Sequence, residues 1–300
     1  MNRERLGNIV QPCRYGPAEL AADLAALQLR YPFLHRQPAG TSVMGKRLES
    51  LRIGSGAAYV HLNASVHGCE WITSLLLMMY TEELLERQAA GSSGMEELTI
   101  WLMPMVNPDG VELSLKGAPP EHPYRRQLLE WNGGSEDFSA WKANIRGVDL
   151  NDQFPANWEE ERSRRGTDGP GPRDYPGESP LSEPESRAVV LLSERESFDM
   201  VAALHTQGEE IYWNYRGLEP PESRAIVERL GAVSGYAPIA LTDSDAGYKD
   251  WFIQKFRRPG FTIEAGRGVN PLPLEQWEDM YVKLRSLLDE LLRIAKGVGR

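Results

Sequence analysis

Cysteine is scarce in this 300-residue sequence, which contains only Cys13 and Cys69. Two cysteines cannot form the disulfide framework of a small secreted domain, and so low a number fits a reducing compartment. The first seven residues lack the apolar segment of a signal peptide, and no stretch approaches the roughly 18 apolar residues of a membrane-spanning helix. We therefore expect a cytoplasmic protein without a membrane partner.

Basic residues are outnumbered by acidic ones. The sequence has 33 Lys and Arg against 43 Asp and Glu, which gives a formal charge of -10. This balance argues against nucleic acid or an anionic membrane as the main partner. Repeats, low-complexity tails and dividing linkers are also missing, so residues 1–300 are expected to form a single domain.

Short apolar runs alternate with helical periodicities along the chain, which predicts an α/β domain with helices on both faces of the sheet. Helices are predicted at residues 17–31, 70–87, 182–196, 224–234 and 274–295, with a further one beginning at 247, and strands at 98–105, 200–204 and 260–266. Residues 41–53 and 57–62 are expected to pair as strands around the turn 54–56. Residues 91–94 are expected to be a loop. Residues 155–184, rich in Pro, Gly and charge, are predicted to lack regular structure and to shape a cleft.

The motif His67-x-x-Glu70 follows the apolar run 57–62 and precedes a predicted helix. A three-residue spacing brings an imidazole and a carboxylate to one side of a turn, and Zn²⁺ binds both types of ligand. Gly68 allows the backbone to turn tightly between them. Alternatively, Glu70 is simply an acid at a helix start beside an unrelated His. Cys69 is interpreted as a small buried side chain rather than a thiolate ligand.

Four other segments carry groups suited to chemistry. Asn107-Pro108-Asp109-Gly110 follows one apolar strand, His205 follows another, Glu264 lies in a third, and the run from Arg146 to Asp152 is dense in polar residues. The end of a strand at one edge of an α/β sheet is a common place for a site. Each segment also has a plain structural explanation: a turn, a solvated loop, a surface ion pair or an exposed acid.

Together, and in this order, these segments resemble the zinc carboxypeptidases, the carboxypeptidase A-like metallopeptidases, over roughly residues 15–295. The resemblance implies a mixed, mostly parallel eight-stranded sheet between helices. It also implies one Zn²⁺ ion held by His67, Glu70 and His205. Such a metal ion has an open position, acidifies a water molecule and polarises a carbonyl group.

The resemblance assigns roles to three further residues. Glu264 matches the general base, which takes a proton from water and passes it to the leaving amine. Arg146 matches the cation that stabilises the tetrahedral oxyanion. Asp149 matches the carboxylate that orients the imidazole of His67.

The sequence departs from the family pattern at Asn151-Asp152. The family usually has Asn-Arg there, and the guanidinium binds the terminal carboxylate of the substrate. The usual late tyrosine also has no clear counterpart; its place falls near Thr242, and Tyr248 lies too far along. Asn151 and Asp152 remain candidate substrate-binding residues, and a carboxylate at 152 would attract an ammonium group.

The run from Arg146 to Pro155 and the run from His205 to Trp213 look like those of bacterial γ-D-glutamyl-L-diamino acid endopeptidases. The resemblance implies hydrolysis of cell-wall peptides between γ-D-glutamate and diaminopimelate or lysine. Asp152, assisted by Glu209 or Glu210, is predicted to bind the additional ammonium group. A cytoplasmic enzyme of this kind would act on recycled muropeptides.

Two alternatives stay open. An ordinary zinc carboxypeptidase would need a carboxylate-binding cation from another segment, for which Arg267 or Arg257 is a candidate. A zinc-containing module without activity would use the cleft only to bind peptides, although the retained Glu264 argues against it.

Overall fold

The computed structural model describes residues 7–91 and 96–297. Within these residues, eight strands form one sheet. The strands are β1 (His35–Thr41), β2 (Arg47–Gly54), β3 (Ala58–Ala64), β4 (Leu98–Met103), β5 (Met200–His205), β6 (Glu210–Tyr212), β7 (Ala237–Ile239) and β8 (Gly260–Glu264). The helices are α1 (Pro17–Arg30), α2 (Ile72–Ala89), α3 (Pro108–Lys116), α4 (Arg125–Trp131), α5 (Trp158–Arg165), α6 (Pro184–Glu196), α7 (Ser223–Ser234), α8 (Tyr248–Phe256) and α9 (Trp277–Ala295).

The sheet has the order β1-β2-β4-β3-β5-β8-β6-β7. Its centre, β4-β3-β5-β8, is parallel, as is the β6-β7 pair, whereas β1-β2, β2-β4 and β8-β6 are antiparallel. This arrangement confirms the predicted mixed sheet. Because β3, β5 and β8 are parallel neighbours, their carboxyl ends meet at one edge, where α/β proteins build sites.

Hydrophobic side chains cover both faces of the central strands. In β5, Met200, Ala202 and Leu204 join one core with α2 and α9, while Val201 and Ala203 join a second core with α6 and α8. Alternation of side chains across a strand produces this division. Burial on both faces explains why the central strands are continuous apolar runs in the sequence. Helices on both faces are therefore confirmed.

The predicted pairing of residues 41–53 with 57–62 is wrong. The segment instead contributes β2, which pairs with β1 and β4, and β4 separates β2 from β3. Gly56 packs so closely on the backbone of Glu97 that a Cβ atom there would lie 1.9 Å from its carbonyl carbon. The chain after β2 therefore packs against the residues that lead into β4, and β2 and β3 do not form a hairpin. Local alternation identifies a strand but not its partners.

The prediction that residues 155–184 lack regular structure is wrong in its first part, which forms α5. Three acids occupy the first turn of this helix and three arginines its last turn. Charges placed in this way stabilise a helix because they interact favourably with its dipole. The loop predicted at 91–94 falls, apart from Gly91, outside the described residues. In the part of the chain that the structure describes, no helix is both long and apolar enough to cross a bilayer.

Candidate metal centre

Three strand ends supply the candidate ligands and base. His67 follows β3 in extended conformation and leads into a 3₁₀ turn, Gly68–Glu70, which precedes α2. His205 is the last residue of β5, and Glu264, the last residue of β8, lies directly beside it in the sheet register. Parallel pairing thus brings residues far apart in sequence to the same edge.

Close backbone packing fixes the His67–Glu70 turn. A Cβ atom on Gly68 would lie 2.5 Å from the carbonyl oxygen of Gly110, so only glycine fits. The amide of Gly68 donates to the Lys142 carbonyl. The side-chain amide group of Asn107 donates to the carbonyl groups of Val66 and Ala143. Its side-chain oxygen accepts a hydrogen bond from the Gly110 amide. The predicted 107–110 turn is therefore the start of α3 and joins three segments beneath the site.

His67, Glu70 and His205 converge on one point. His67 Nδ1 lies 2.8 Å from Glu70 Oε1, His205 Nδ1 lies 3.1 Å from Glu70 Oε2, and the two Nδ1 atoms lie 3.2 Å apart. Among the described residues, this is the one group of three or more His, Cys, Asp or Glu side chains with metal-binding geometry. Two imidazoles and one carboxylate are a donor set that suits catalytic zinc.

A second layer of contacts orients these ligands. Asp149 Oδ1 lies 3.2 Å from His67 Nε2, which leaves Nδ1 facing the other two ligands. The amide of Thr206 donates to Glu70 Oε2, and the side-chain amide of Asn270 donates to Glu70 Oε1. Asp149 therefore contacts His67, and its role in orienting that imidazole stays a prediction.

The electrostatics of the site favour positive charge. Burial alone would lower the pKa of His67, but the carboxylates of Glu70 and Asp149 raise it to about 9. Burial opposes ionisation of Glu70, yet His67 and His205 hold its pKa well below the usual range. The pKa of Asp149 is lowered by Lys142 and His67 in spite of burial. A cation at the three ligand atoms would be stabilised by the same charges.

A cavity of about 470 Å³ opens beside the ligands. It is lined by His67, Cys69, Glu70, Ala140, Lys142, Arg173, Thr206, Gln207, Tyr212, Glu264, Gly268, Val269 and Asn270. Burial in this cleft and the charge of Glu70 raise the pKa of Glu264 to about 8. The base candidate therefore faces the same space as two of the three ligands, His67 and Glu70. Cys69 is buried, as predicted, and lies outside the ligand group.

Comparison with known proteins agrees with this geometry. Residues 20–270 match the zinc carboxypeptidase family of peptidases. The chain belongs to the zinc carboxypeptidase family. This member is a metallopeptidase and uses one Zn²⁺ ion.

Relatives of this chain include a γ-D-glutamyl-L-diamino acid endopeptidase 1 from Lysinibacillus sphaericus. The two are 46% identical over 275 residues, which cover 89% of this chain and 69% of the relative. The uncharacterized protein YqgT of Bacillus subtilis is 43% identical over 263 residues, which cover 84% of this chain and 70% of that protein. Bovine thrombin-activatable fibrinolysis inhibitor has the same fold, with a TM-score of 0.75 and 18% identity. The match covers 96% of this chain and 98% of that one.

The structure does not place Arg146 in the cleft. The Arg146 side chain is 47% exposed and lies 3.6 Å from Glu183, and it is absent from the described residues that line the cavity. Lys142 does line the cavity, and its Nζ atom lies 2.9 Å from Asp149 Oδ2. Asp149 and Glu70 raise the pKa of Lys142 in spite of burial, so it stays charged. Lys142 lies four residues before Arg146, outside the run that the family resemblance marked, and no local pattern distinguishes it from a surface lysine.

Asp152 also lies away from the cavity. It is only 2% exposed, and Arg165 from α5 contacts it through two atoms, Nη2 at 2.8 Å and Nε at 2.7 Å. Burial and the charge of Asp149 raise the pKa of Asp152 to about 7 despite this partner. Asn151 faces the start of α8, where its side-chain oxygen lies 3.5 Å from the Tyr248 amide. Binding of substrate by Asn151 and Asp152 stays a prediction, and Asp152 would have to release Arg165.

The remaining charged candidates differ in their surroundings. Glu209 is buried and is contacted by Arg267 at 2.9 Å and Lys283 at 2.6 Å, so its charge is already balanced. Glu210 lies opposite Glu264 in the β6-β8 pair and accepts a 2.7 Å hydrogen bond from the Tyr212 hydroxyl. Among the described residues, Glu210 has no cationic partner, which leaves its charge available beside the cleft.

Metal removal gives a first test of the triad. Treatment with a chelator should remove about one zinc ion per chain and abolish peptidase activity, and added Zn²⁺ should restore it. His205→Ala should fail to retain zinc because only two ligands remain, whereas His35→Ala, at an exposed position on β1, should retain it. Zinc content by elemental analysis is the measurement. Full zinc occupancy in His205→Ala would contradict the assignment.

Proposed function

We propose that this enzyme hydrolyses the peptide bond between γ-D-glutamate and a diamino acid in bacterial cell-wall peptides. The observation that carries the proposal is the convergence of the ligand atoms of His67, Glu70 and His205 beside the cleft that Glu264 lines, without an arginine at position 152. The endopeptidase from Lysinibacillus sphaericus, 46% identical, supports this choice of substrate. The cytoplasmic location stays a prediction.

The chain's own groups divide the work of hydrolysis. Zinc held by the triad supplies Lewis-acid chemistry, which polarises a carbonyl group and acidifies water. Glu264 accepts a proton from the attacking water and delivers it to the leaving amine. Lys142, rather than Arg146, stabilises the oxyanion, because its ammonium group lies in the cleft and is held by Asp149. Asp149 keeps His67 in the tautomer that directs Nδ1 toward the metal site.

Recognition of a diamino acid needs a free negative charge near the leaving side of the bond. Asp152 is bound by Arg165, and Glu209 is bound by Lys283 and Arg267. Glu210 remains, positioned by the Tyr212 hydroxyl next to Glu264. We therefore assign Glu210 the ammonium-binding role that the sequence suggested for Asp152 or its helpers.

Defined substrates test the proposed function. The zinc-loaded enzyme is incubated with L-Ala-γ-D-Glu-meso-diaminopimelate and, separately, with a blocked dipeptide of ordinary α-linked residues, and the products are identified by mass spectrometry. We expect release of diaminopimelate from the first and little cleavage of the second. The opposite preference would favour the ordinary carboxypeptidase, and cleavage of neither would favour a binding module.

Glu210→Gln should lower kcat/KM selectively for substrates that carry the additional ammonium group. Loss of a charge-assisted hydrogen bond predicts about a tenfold effect. A substrate with norleucine in place of lysine should be cleaved about equally well by the variant and the wild type. Glu209→Gln is the matched control, because the Glu209 carboxylate already has two cationic partners. Equal losses on both substrates would remove Glu210 from ammonium recognition.

A further inference from the structure

The segment around Arg173 is fastened to the metal centre on both sides. The carbonyl group of Pro172 accepts hydrogen bonds from two successive amides, beginning with Lys142 at 2.9 Å. The amide of Asp174 donates to Asp149 Oδ2 at 3.2 Å. Arg173 lies between these two anchors. Its backbone position is therefore set by the same residues that line the cleft and orient the first zinc ligand.

The side chain of Arg173 lines the cavity with part of its hydrogen-bonding capacity free. Its Nε atom donates to Asp174 Oδ2 at 3.0 Å, and the side chain is 66% exposed. Asp174 is the one ion partner of Arg173 among the described residues. This side-on contact holds the guanidinium group and leaves its two terminal amino groups for a ligand. A guanidinium group binds a carboxylate with two parallel hydrogen bonds.

Charged side chains of both signs lie in and beside the cleft. Lys142 and Arg173 line it with positive charge, and Glu210, which lies opposite Glu264 in the β6-β8 pair, adds negative charge beside it. A γ-linked glutamate keeps a free α-carboxylate a short aliphatic chain away from the scissile carbonyl carbon, whereas an α-linked residue with an uncharged side chain has no carboxylate there. A diamino acid places an ammonium group on the other side of the bond. The two signs of charge are complementary to this pair of groups.

We propose that Arg173 is a specificity-determining residue that binds the free α-carboxylate of the γ-linked glutamate. The proposal rests on the proposed function and adds to it the group by which the enzyme selects a γ-linked glutamate over an α-linked residue with an uncharged side chain. Lys142 is closer to the ligands and is engaged by Asp149, so it serves the carbonyl oxygen at the reacting centre. Arg173, on the rim, contacts the part of the substrate that does not react.

A pair of substrates that differ in one charge tests the role of Arg173. Zinc-loaded wild type, Arg173→Ala and Arg173→Lys are assayed on L-Ala-γ-D-Glu-meso-diaminopimelate and on the same peptide with the glutamate α-carboxylate amidated. The wild type should prefer the free carboxylate by about tenfold, the value of one charge-assisted interaction. Arg173→Ala should lose this preference, because it should cleave the peptide with the free carboxylate more slowly and the amidated peptide at the wild-type rate. Arg173→Lys should retain part of the preference.

Arg162→Ala is the matched control, because Arg162 also lies within residues 155–184 but packs over the Trp158 ring. It should keep the wild-type preference. If the wild type cleaves both peptides equally, or if Arg173→Ala keeps the preference, the role of Arg173 is overturned while the proposed function stands. If the wild type cleaves neither peptide, the proposed function is overturned together with the inference.

Discussion

Glu264→Gln is expected to lower kcat by about 10²–10⁴-fold, the range typical of a lost general base. Glutamine has nearly the same shape as glutamate but cannot accept and release a proton in the reaction. Glu264 is the last residue of β8 and is not one of the three converging ligands, so zinc content should be unchanged. Steady-state kinetics and elemental analysis of the same preparation measure both quantities.

Glu278→Gln, at an exposed position on α9, is the control for this substitution and should have wild-type activity. Wild-type activity in Glu264→Gln itself would contradict the assignment of the base. Loss of zinc together with activity would show instead that Glu264 supports the ligands. The two results are distinguishable because the substitution does not remove a ligand atom.

Lys142→Met is expected to lower kcat by about 10²–10³-fold, comparable to the removal of one oxyanion donor. Arg146→Met should change kcat by less than about threefold, because its guanidinium group is half-exposed near Glu183 and lies off the cleft. The comparison decides which of these two neighbouring cations stabilises the oxyanion. Kinetics on one γ-D-glutamyl peptide with both variants give the measurement.

Stability must be followed in the Lys142 variant, because Asp149 is fully buried and Lys142 is its cationic partner. Thermal unfolding and zinc content separate a damaged fold from a damaged transition state. Lys142→Arg keeps the charge and should recover much of the activity. A large loss in Arg146→Met with little loss in Lys142→Met would restore Arg146 to the oxyanion role.

The fold class was accessible from the sequence for a local reason, whereas the ligands followed from the resemblance of several motifs, taken in order, to one family. His67 and Glu70 lie three residues apart around a glycine, and His205 and Glu264 follow or end apolar runs that were predicted as buried strands. Burial on both faces makes such runs continuous, so their ends are visible without knowledge of their neighbours. The carboxyl ends of parallel strands then meet at one edge.

The partners of each charged group depended on the tertiary structure. Lys142 and Arg146 belong to one irregular segment, where no periodicity indicates which side chain faces the cleft. Hydrogen bonds that the amides of Lys142 and Ala143 donate to the Pro172 carbonyl group hold the backbone of this segment in place. The burial of Asp152 against Arg165 likewise depends on α5 folding back over the polar run.

Residue patterns along the chain therefore predicted the α/β fold class, and the resemblance to one family predicted the three zinc ligands and the base candidate. Only the tertiary structure decided the neighbours of β2 and which cations and carboxylates remain free to meet a substrate. The physical reason is that a strand or ligand motif is specified by residues adjacent in the chain. The availability of a charge is specified by its ion partner, and such partners come from distant segments.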